Sequence, residues 1–152
     1  MLKIKIICVG NLKEKFYKDA YAEFEKRLTR FCSLTLIELP EKNNKKNTNV
    51  IIDSESELII QKLSGYKILL DINGESCSST EFASTISKLS LNNSELTFII
   101  GGSYGVCDKL KNICDYKLSF SKMTFNHNLF RVMLVEQLYR AFSILENGNY
   151  HK

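Results

Sequence analysis

A late apolar run, residues 96–100, opens directly onto the glycine-rich segment Gly101-Gly102-Ser103-Tyr104-Gly105. Glycine permits positive φ and lacks a Cβ, so the backbone N–H and C=O groups of such a turn can approach a bound molecule closely. A dinucleotide-binding domain places its glycine turn after the first strand, and a P-loop requires Gly-Lys-Ser/Thr, which is absent here. The segment therefore predicts a ligand-binding turn in a fold other than a standard nucleotide-binding one.

Apolar runs typical of strands alternate with segments of helical periodicity along the whole chain. Strands are expected over residues 3–9, 34–39, 67–72, 96–100 and 116–120, the third ending at the turn pair Asn73-Gly74. Helices are expected over residues 17–31, 54–63, 82–89, 109–113 and 128–146, and residues 41–49 are expected to form a flexible loop. The alternation predicts a single α/β domain over residues 1–152, with a mostly parallel sheet flanked by helices and ligands at the carboxyl ends of strands.

The composition is that of an ordinary globular domain, with 44% hydrophobic and 25% charged residues among 152. Five cysteines without a Cys-x-x-Cys pair indicate neither a disulfide framework nor a zinc site, and no metal is expected. We interpret Cys8, inside the first strand, as a buried hydrophobic residue. No apolar run is long enough to span a bilayer, and the amino terminus lacks a signal-peptide core, so we expect a cytoplasmic protein.

Charge is distributed unevenly along the chain. Residues 1–31 carry eight Lys/Arg against four acids, residues 117–152 carry five against two, and residues 49–116 are acidic. If the two basic ends meet in space they form a positive face suited to a phosphate-rich partner. The alternative interpretation is a solvated lysine surface.

A second candidate binding segment follows the last strand. Residues 119–127 combine hydroxyl and aromatic side chains before the final helix begins. If the strands that end near residues 100 and 120 are neighbours, their turns form one pocket, with glycine backbone on one wall and apolar surface from Phe120, Met123 and Phe125. Such a pocket suits an adenosine-containing ligand.

The final helix has two surfaces to bury. One face carries Phe130, Leu134, Val135, Leu138, Ala141, Phe142 and Leu145, and another carries Leu129, Val132, Met133, Tyr139 and Ile144. A second copy of the chain is the simplest partner for the second face. Arg131 lies within the first apolar face and must find an anion, either an internal carboxylate or a substrate phosphate.

Both histidines lie near the carboxyl terminus, His127 at the entrance of the last helix and His151 in the tail. Each is a candidate for proton transfer. The alternatives are a capping or surface histidine for the first and a frayed tail for the second.

Six segments in chain order carry a resemblance to a known family: residues 6–15 (IICVGNLKEK), 21–28 (YAEFEKRL), 100–105 (IGGSYG), 118–125 (LSFSKMTF), 139–142 (YRAF) and 150–152 (YHK). They resemble the RlmH family, SPOUT-superfamily methyltransferases that modify a pseudouridine of large-subunit ribosomal RNA. The resemblance spans the whole chain. One departure is Asn126, where many relatives have proline, so a less rigid turn is expected there.

The resemblance implies an α/β fold with a C-terminal trefoil knot, a homodimer, and S-adenosylmethionine as cofactor. It implies as substrate the pseudouridine in the helix 69 loop of 23S rRNA, methylated at N3 in the assembled ribosome. Carried over by position, the cofactor-binding residues are Leu70, Gly101, Phe120, Ser121, Lys122, Met123, Thr124 and Phe125.

N3 of pseudouridine carries a proton, so a general base or a group that stabilises the developing anion is expected to assist methyl transfer. We hypothesise that His127 or His151 assists proton removal and that Arg131 positions phosphate or stabilises the oxygen of the base. Two alternatives remain at this point: a SPOUT methyltransferase acting on transfer RNA, and a non-catalytic RNA-binding module with a vestigial pocket.

Overall fold

The computed structural model describes residues 1–42, 47–147 and 150. Its strands are β1 (Leu2–Val9), β2 (Cys32–Leu39), β3 (Tyr66–Ser76), β4 (Glu95–Ile100) and β5 (Tyr116–Ser119). Its helices are α1 (Lys15–Leu28), α2 (Thr48–Ile60), α3 (Ser79–Asn92), α4 (Asp108–Ile113) and α5 (His127–Leu145). Each strand and helix expected from periodicity is present. Of the predicted loop 41–49, the last two residues belong to α2, and residues 43–46 lie outside the described part of the chain.

The five strands form one sheet in the order β2-β1-β4-β3-β5, and all adjacent pairs are parallel. The carboxyl ends of the strands therefore lie at the same edge. In the central pairings Val9 is opposite Leu39, and Cys8 is opposite Ile100. This arrangement confirms the predicted α/β fold with a parallel sheet, while the trefoil knot stays a prediction.

Side chains of the sheet alternate between two apolar layers, as the two-residue repeat of a strand requires. In β1, Ile4, Ile6 and Cys8 pack in the layer that contains α1, α3 and α5. Ile7 and Val9 face the opposite layer, which contains Ile59 of α2 and Leu110 of α4. Because helices cover both faces, the central strand β4 and the second half of β1 are almost continuously buried.

Strand β3 does not end at Asn73-Gly74 as predicted. It continues to Ser76 after an irregularity between Leu70 and Glu75, where its register against β5 shifts. Gly74 is required there, because an added Cβ would lie 2.7 Å from the carbonyl of Lys117. The irregular residues 71–74 leave the regular ladder near the carboxyl edge of the sheet.

Local signals set the ends of two helices. A capping box begins α3, because the Ser78 hydroxyl accepts from the Glu81 N–H at 3.1 Å and the Glu81 carboxylate accepts from the Ser78 N–H at 3.0 Å. At α5, the Asn126 side chain accepts from the Asn128 N–H at 2.8 Å. Asn126 therefore caps the helix at its amino-terminal end.

Two further findings concern residues 1–42, 47–147 and 150. None of the helices there combines the length and the apolar character needed to cross a bilayer. Nor do three or more His, Cys, Asp or Glu residues come together in those ranges in a way that would hold a metal ion.

Candidate functional site

A cavity of about 600 Å³ lies at the carboxyl edge of the sheet. Its walls are the end of β3, the glycine-rich turn after β4 and the segment between β5 and α5. The volume is in the range of small-molecule sites, which in parallel α/β folds occur at this edge. The predicted meeting of the two late turns in one pocket is thus observed.

The reason the two turns meet differs from the one predicted. Strands β4 and β5 are not neighbours, because β3 lies between them in the sheet. The end of β3 therefore forms a third wall, in which Asp71, Ile72 and Asn73 accompany the predicted Leu70. Sequence reasoning missed these three residues, although Asn73-Gly74 was a recognisable irregularity at the end of an apolar strand.

The glycine turn after β4 presents backbone to the cavity. The Gly105 N–H donates to the Gly102 carbonyl at 3.0 Å and closes the turn. Gly105 has φ +87°, and a Cβ built there would meet no atom within 4 Å among the described residues. A Cβ on Gly101 would lie 2.7 Å from Cγ1 of Val106. Any side chain at Gly101 therefore requires the wall to move.

The segment after β5 is held by its own hydroxyl groups and aromatic rings. The Ser121 side chain accepts from the Met123 N–H at 3.0 Å, and the Ser119 hydroxyl donates to the Ser121 carbonyl at 3.1 Å. The ring centroids of Phe120 and Phe125 lie 6.0 and 5.6 Å from that of Phe130 on α5. This aromatic cluster forms an apolar wall of the cavity.

Seven of the eight residues assigned by resemblance to the cofactor line this cavity: Leu70, Gly101, Phe120, Ser121, Met123, Thr124 and Phe125. Lys122 lies on the same segment but is exposed and outside the lining. Further polar lining residues are Ser103 and Asn126, within the two predicted binding segments, and Asp71, Asn73 and Lys111, outside them. The structure brings these seven residues together around one cavity, and their contacts with a cofactor stay a prediction.

His127 lies where the cavity meets the end of β1. It is the first residue of α5, half-buried, and lines the cavity. Gly10, with φ +88°, follows β1, and a Cβ built on it would lie 3.9 Å from Nε2 of His127 and 3.8 Å from Oε2 of Glu41. An imidazole and a carboxylate thus flank the same glycine. Glu41 was not among the predicted site residues, because it stands in a polar segment without periodicity.

Arg131 is the largest fully buried side chain, with 1% exposure. One terminal nitrogen donates to the Glu38 carboxylate and the other donates to the Gly10 carbonyl at 2.9 Å. Of the two predicted alternatives, the structure therefore provides the internal carboxylate. The guanidinium ties α5 to the carboxyl ends of β1 and β2, and its Nε has no hydrogen-bond partner among the described residues.

The interpretation of Cys8 as a buried hydrophobic residue is confirmed. Cys8 is 1% exposed, and burial raises the pKa of its thiol to about 12, although the nearby Arg131 guanidinium acts in the opposite direction. A thiol with so high a pKa is protonated at neutral pH and is a poor nucleophile.

The second histidine candidate, His151, lies outside the described residues. Tyr150, immediately before it, packs on α5. Its hydroxyl donates to the Glu136 carboxylate at 3.0 Å, and its ring centroid lies 4.8 Å from that of Tyr139. Arg140 shares the Glu136 carboxylate.

The family model described as predicted SPOUT methyltransferase matches residues 2–151. The chain belongs to the SPOUT methyltransferase family. Within it, the chain is 46% identical to the ribosomal RNA large subunit methyltransferase H of Clostridium botulinum (strain Langeland), with 99% of this chain and 100% of the relative covered. A protein of the same name from Fusobacterium nucleatum is 45% identical with the same coverage. This SPOUT chain is thus a member of the RlmH family.

Solved structures with this SPOUT fold are more distant in sequence. A probable methylase family protein from Haemophilus influenzae has a TM-score of 0.59 at 14% identity, and the match covers 100% of this chain and 72% of that one. The putative methyltransferase Lpg2936 of Legionella pneumophila, solved with bound SAM, has a TM-score of 0.53 at 9% identity, covering 93% and 66%. These likenesses support the fold.

Proposed function

We propose that this chain transfers a methyl group from S-adenosylmethionine to N3 of a pseudouridine in the helix 69 loop of 23S rRNA, within the assembled ribosome. The observation that carries the proposal is the single cavity formed by the glycine turn and the segment after β5, in a chain whose relatives, named ribosomal RNA large subunit methyltransferase H, match it over 99% of its length. We also propose a cytoplasmic location, which a ribosomal substrate supports.

The cavity residues fit such a cofactor. Gly101 and Gly105 leave backbone groups accessible, and Phe120 and Phe125 provide apolar surface for a purine ring. The Ser121 hydroxyl already accepts the Met123 N–H, which fixes the backbone of the segment. We assign cofactor binding to these residues together with Leu70, Met123 and Thr124. Lys122 does not line the cavity, and we assign it to the rim of the cavity.

Bound S-adenosylmethionine supplies a methyl group on a sulfonium centre. The contribution of the protein is mainly orientation, because an in-line displacement needs the acceptor nitrogen aligned behind the transferred carbon. Phe130 on α5 packs against the rings of Phe120 and Phe125, and the hydrogen bond from the Gly105 N–H to the Gly102 carbonyl closes the glycine turn, so both walls have contacts that hold their shape.

We assign proton removal from the acceptor to His127, since it lies at the cavity edge with Glu41 nearby. His151 remains the second candidate. Arg131 is buried and bound to Glu38, so we assign it a positioning role in place of contact with RNA. It stands one helical turn after His127 and holds the start of α5 against Gly10.

Alanine substitution of His127 is expected to lower the single-turnover methylation rate about 100-fold, the usual contribution of a general base. Affinity for S-adenosylmethionine should change little. Rates measured at several pH values distinguish proton transfer from positioning, because only a lost base changes the pH profile. If alanine variants at His127, Arg131 and His151 all methylate at the wild-type rate, positioning alone suffices and the assigned roles are wrong.

Exposed lysines and an exposed aromatic ring lie at the start of α1, together with the exposed acids Glu14 and Asp19. The segment after Gly10 carries exposed Lys13 and Lys18 and the exposed ring of Phe16, which is 66% accessible. Lysines interspersed with an exposed aromatic ring suit a nucleic acid, since cations contact phosphates and rings stack on bases. This surface supports an RNA substrate over a small acceptor.

We further propose that the chain acts as a homodimer. On α5, Val132, Met133 and Tyr139 remain half-buried, and two of them line a second cavity of about 420 Å³ with residues of α1 and α3. A second chain would cover this apolar surface. Sedimentation of the purified protein measures its mass against the 17.5 kDa of one chain.

The function is tested with labelled S-adenosylmethionine and ribosomes from cells that lack the enzyme, followed by mapping of the methylated nucleotide. Label at the helix 69 pseudouridine supports the proposal. Label on transfer RNA alone identifies the other SPOUT activity. RNA affinity without cofactor binding in calorimetry identifies a non-catalytic RNA-binding module.

A further inference from the structure

Helix α2 places a buried carboxylate directly beneath the glycine turn. Glu55 is 2% exposed, and a Cβ built on Gly102 would lie 2.7 Å from its Oε1 atom. That oxygen is buried and has no hydrogen-bond partner among the described residues. An unsatisfied buried carboxylate oxygen is costly, so its presence against a ligand-binding turn requires an explanation.

The other carboxylate oxygen connects a second loop to the same side chain. Oε2 of Glu55 accepts from the Lys42 N–H at 3.1 Å, just after β2. Burial raises the pKa of Glu55, and the negative charge of Glu41 raises it further, whereas the Lys42 N–H and the Lys42 charge lower it. Because Oε2 is held in this way, the carboxylate cannot easily move away from Gly102.

The next residue of α2 holds the far end of the turn. Ser56 is completely buried, and its hydroxyl accepts from the Cys107 N–H at 3.0 Å. Two consecutive side chains of one helix therefore contact the two ends of residues 102–107. Neither residue lines the cavity itself.

We propose that Glu55 is a positioning residue for the cofactor: with Ser56 it holds the glycine turn in its binding shape and links that turn to the loop after β2. The proposal rests on the proposed function, since the turn in question is the one assigned to S-adenosylmethionine. This arrangement also explains why residue 102 is glycine. Its φ is not positive, but a Cβ at this position would meet the Glu55 carboxylate.

The test compares Glu55→Ala with Glu57→Ala, a matched control on the same helix. Glu57 is exposed, and its carboxylate accepts from Nζ of Lys109 at 3.1 Å on the surface. Calorimetry is expected to show about tenfold weaker S-adenosylmethionine binding for Glu55→Ala, because Gly102 loses the side chain packed against it and the Lys42 N–H loses its charged acceptor. The control should bind like the wild type. The KM for the cofactor should rise while kcat at saturation stays within about twofold, because Glu55 does not touch the reacting atoms.

A double variant separates positioning from general destabilisation. Gly102→Ala alone is expected to weaken cofactor binding about tenfold, because its methyl group meets the carboxylate. Gly102→Ala combined with Glu55→Ala should bind no more weakly than either single variant, since the alanine at position 55 leaves room for that methyl group. Wild-type affinity in Glu55→Ala, or fully additive losses in the double variant, would overturn the proposal.

Failure of the proposed function gives a different result. If the wild-type chain does not bind S-adenosylmethionine, the proposed function is wrong, and the same four proteins are then compared by thermal denaturation. If Gly102→Ala lowers the melting temperature and the double variant with Glu55→Ala restores part of it, the result still supports a role of Glu55 in holding the turn. Additive losses reject it.

Discussion

Replacement of Gly101 by valine is expected to lower the affinity for S-adenosylmethionine about 100-fold, equivalent to about 2.7 kcal/mol. The Cβ alone would lie 2.7 Å from Cγ1 of Val106, and the two further methyl groups add bulk beside the cavity. Calorimetric titration of the variant measures the loss. Methylation of ribosomes at a fixed, subsaturating cofactor concentration should fall in parallel.

A compensating variant serves as the control for this prediction. Gly101→Ala combined with Val106→Ala removes the atom that the new Cβ would meet, so binding should recover relative to Gly101→Ala alone. If Gly101→Val binds the cofactor as tightly as the wild type, the glycine turn is not the cofactor wall.

Replacement of Glu38 by alanine is expected to reduce the free energy of unfolding by about 3 kcal/mol, because it leaves the buried Arg131 guanidinium without its carboxylate. Arg131 is 1% exposed and has an unpartnered Nε, so the loss of Glu38 leaves its guanidinium with the Gly10 carbonyl as its remaining hydrogen-bond partner among the described residues. For a chain of this length, the melting temperature should fall by about 10 °C. Thermal and urea denaturation measure both quantities.

A surface ion pair is the matched control for this loss. Glu23 and Arg27 are one helical turn apart on α1, and both are substantially exposed. Glu23→Ala should cost only about 0.5 kcal/mol. Arg131→Met should cost less than Glu38→Ala, since it removes the buried charge and leaves a carboxylate that is 39% exposed. Equal losses in Glu38→Ala and Glu23→Ala would show that the contact between Arg131 and Glu38 is not important for stability.

Local patterns accounted for the elements of the fold. Strands β1 and β4 were predicted from their apolar runs, and helices α1 and α5 from their three- to four-residue periodicity. Both patterns reflect which side chains face the core, and each is contained within its own segment. The glycine turn could also be predicted from the sequence, because the apolar strand and the glycines that follow it are adjacent in the chain. Cavity residues on the two late segments followed from the family resemblance.

Contacts between strands and side chains that are far apart in the chain could not be predicted in this way. Strand β3 lies between β4 and β5, and this position brings Asp71 and Asn73 into the cavity. The order of strands in a sheet is not contained in the local pattern of any one strand. The sequence could not identify the partners of Arg131 for the same reason. Glu38 is 93 positions away, and only the packing of α5 across the sheet brings the two charges together.

By itself, the sequence determined an α/β chain with a glycine turn after a buried strand, because side-chain periodicity and glycine placement are local properties. Only the tertiary structure decided that three strand ends enclose one cavity, that the terminal nitrogens of Arg131 bond to Glu38 and Gly10, and that Glu55 lies beneath Gly102. These contacts join residues far apart in the chain, and they follow from the order of strands and the packing of helices on both faces of the sheet.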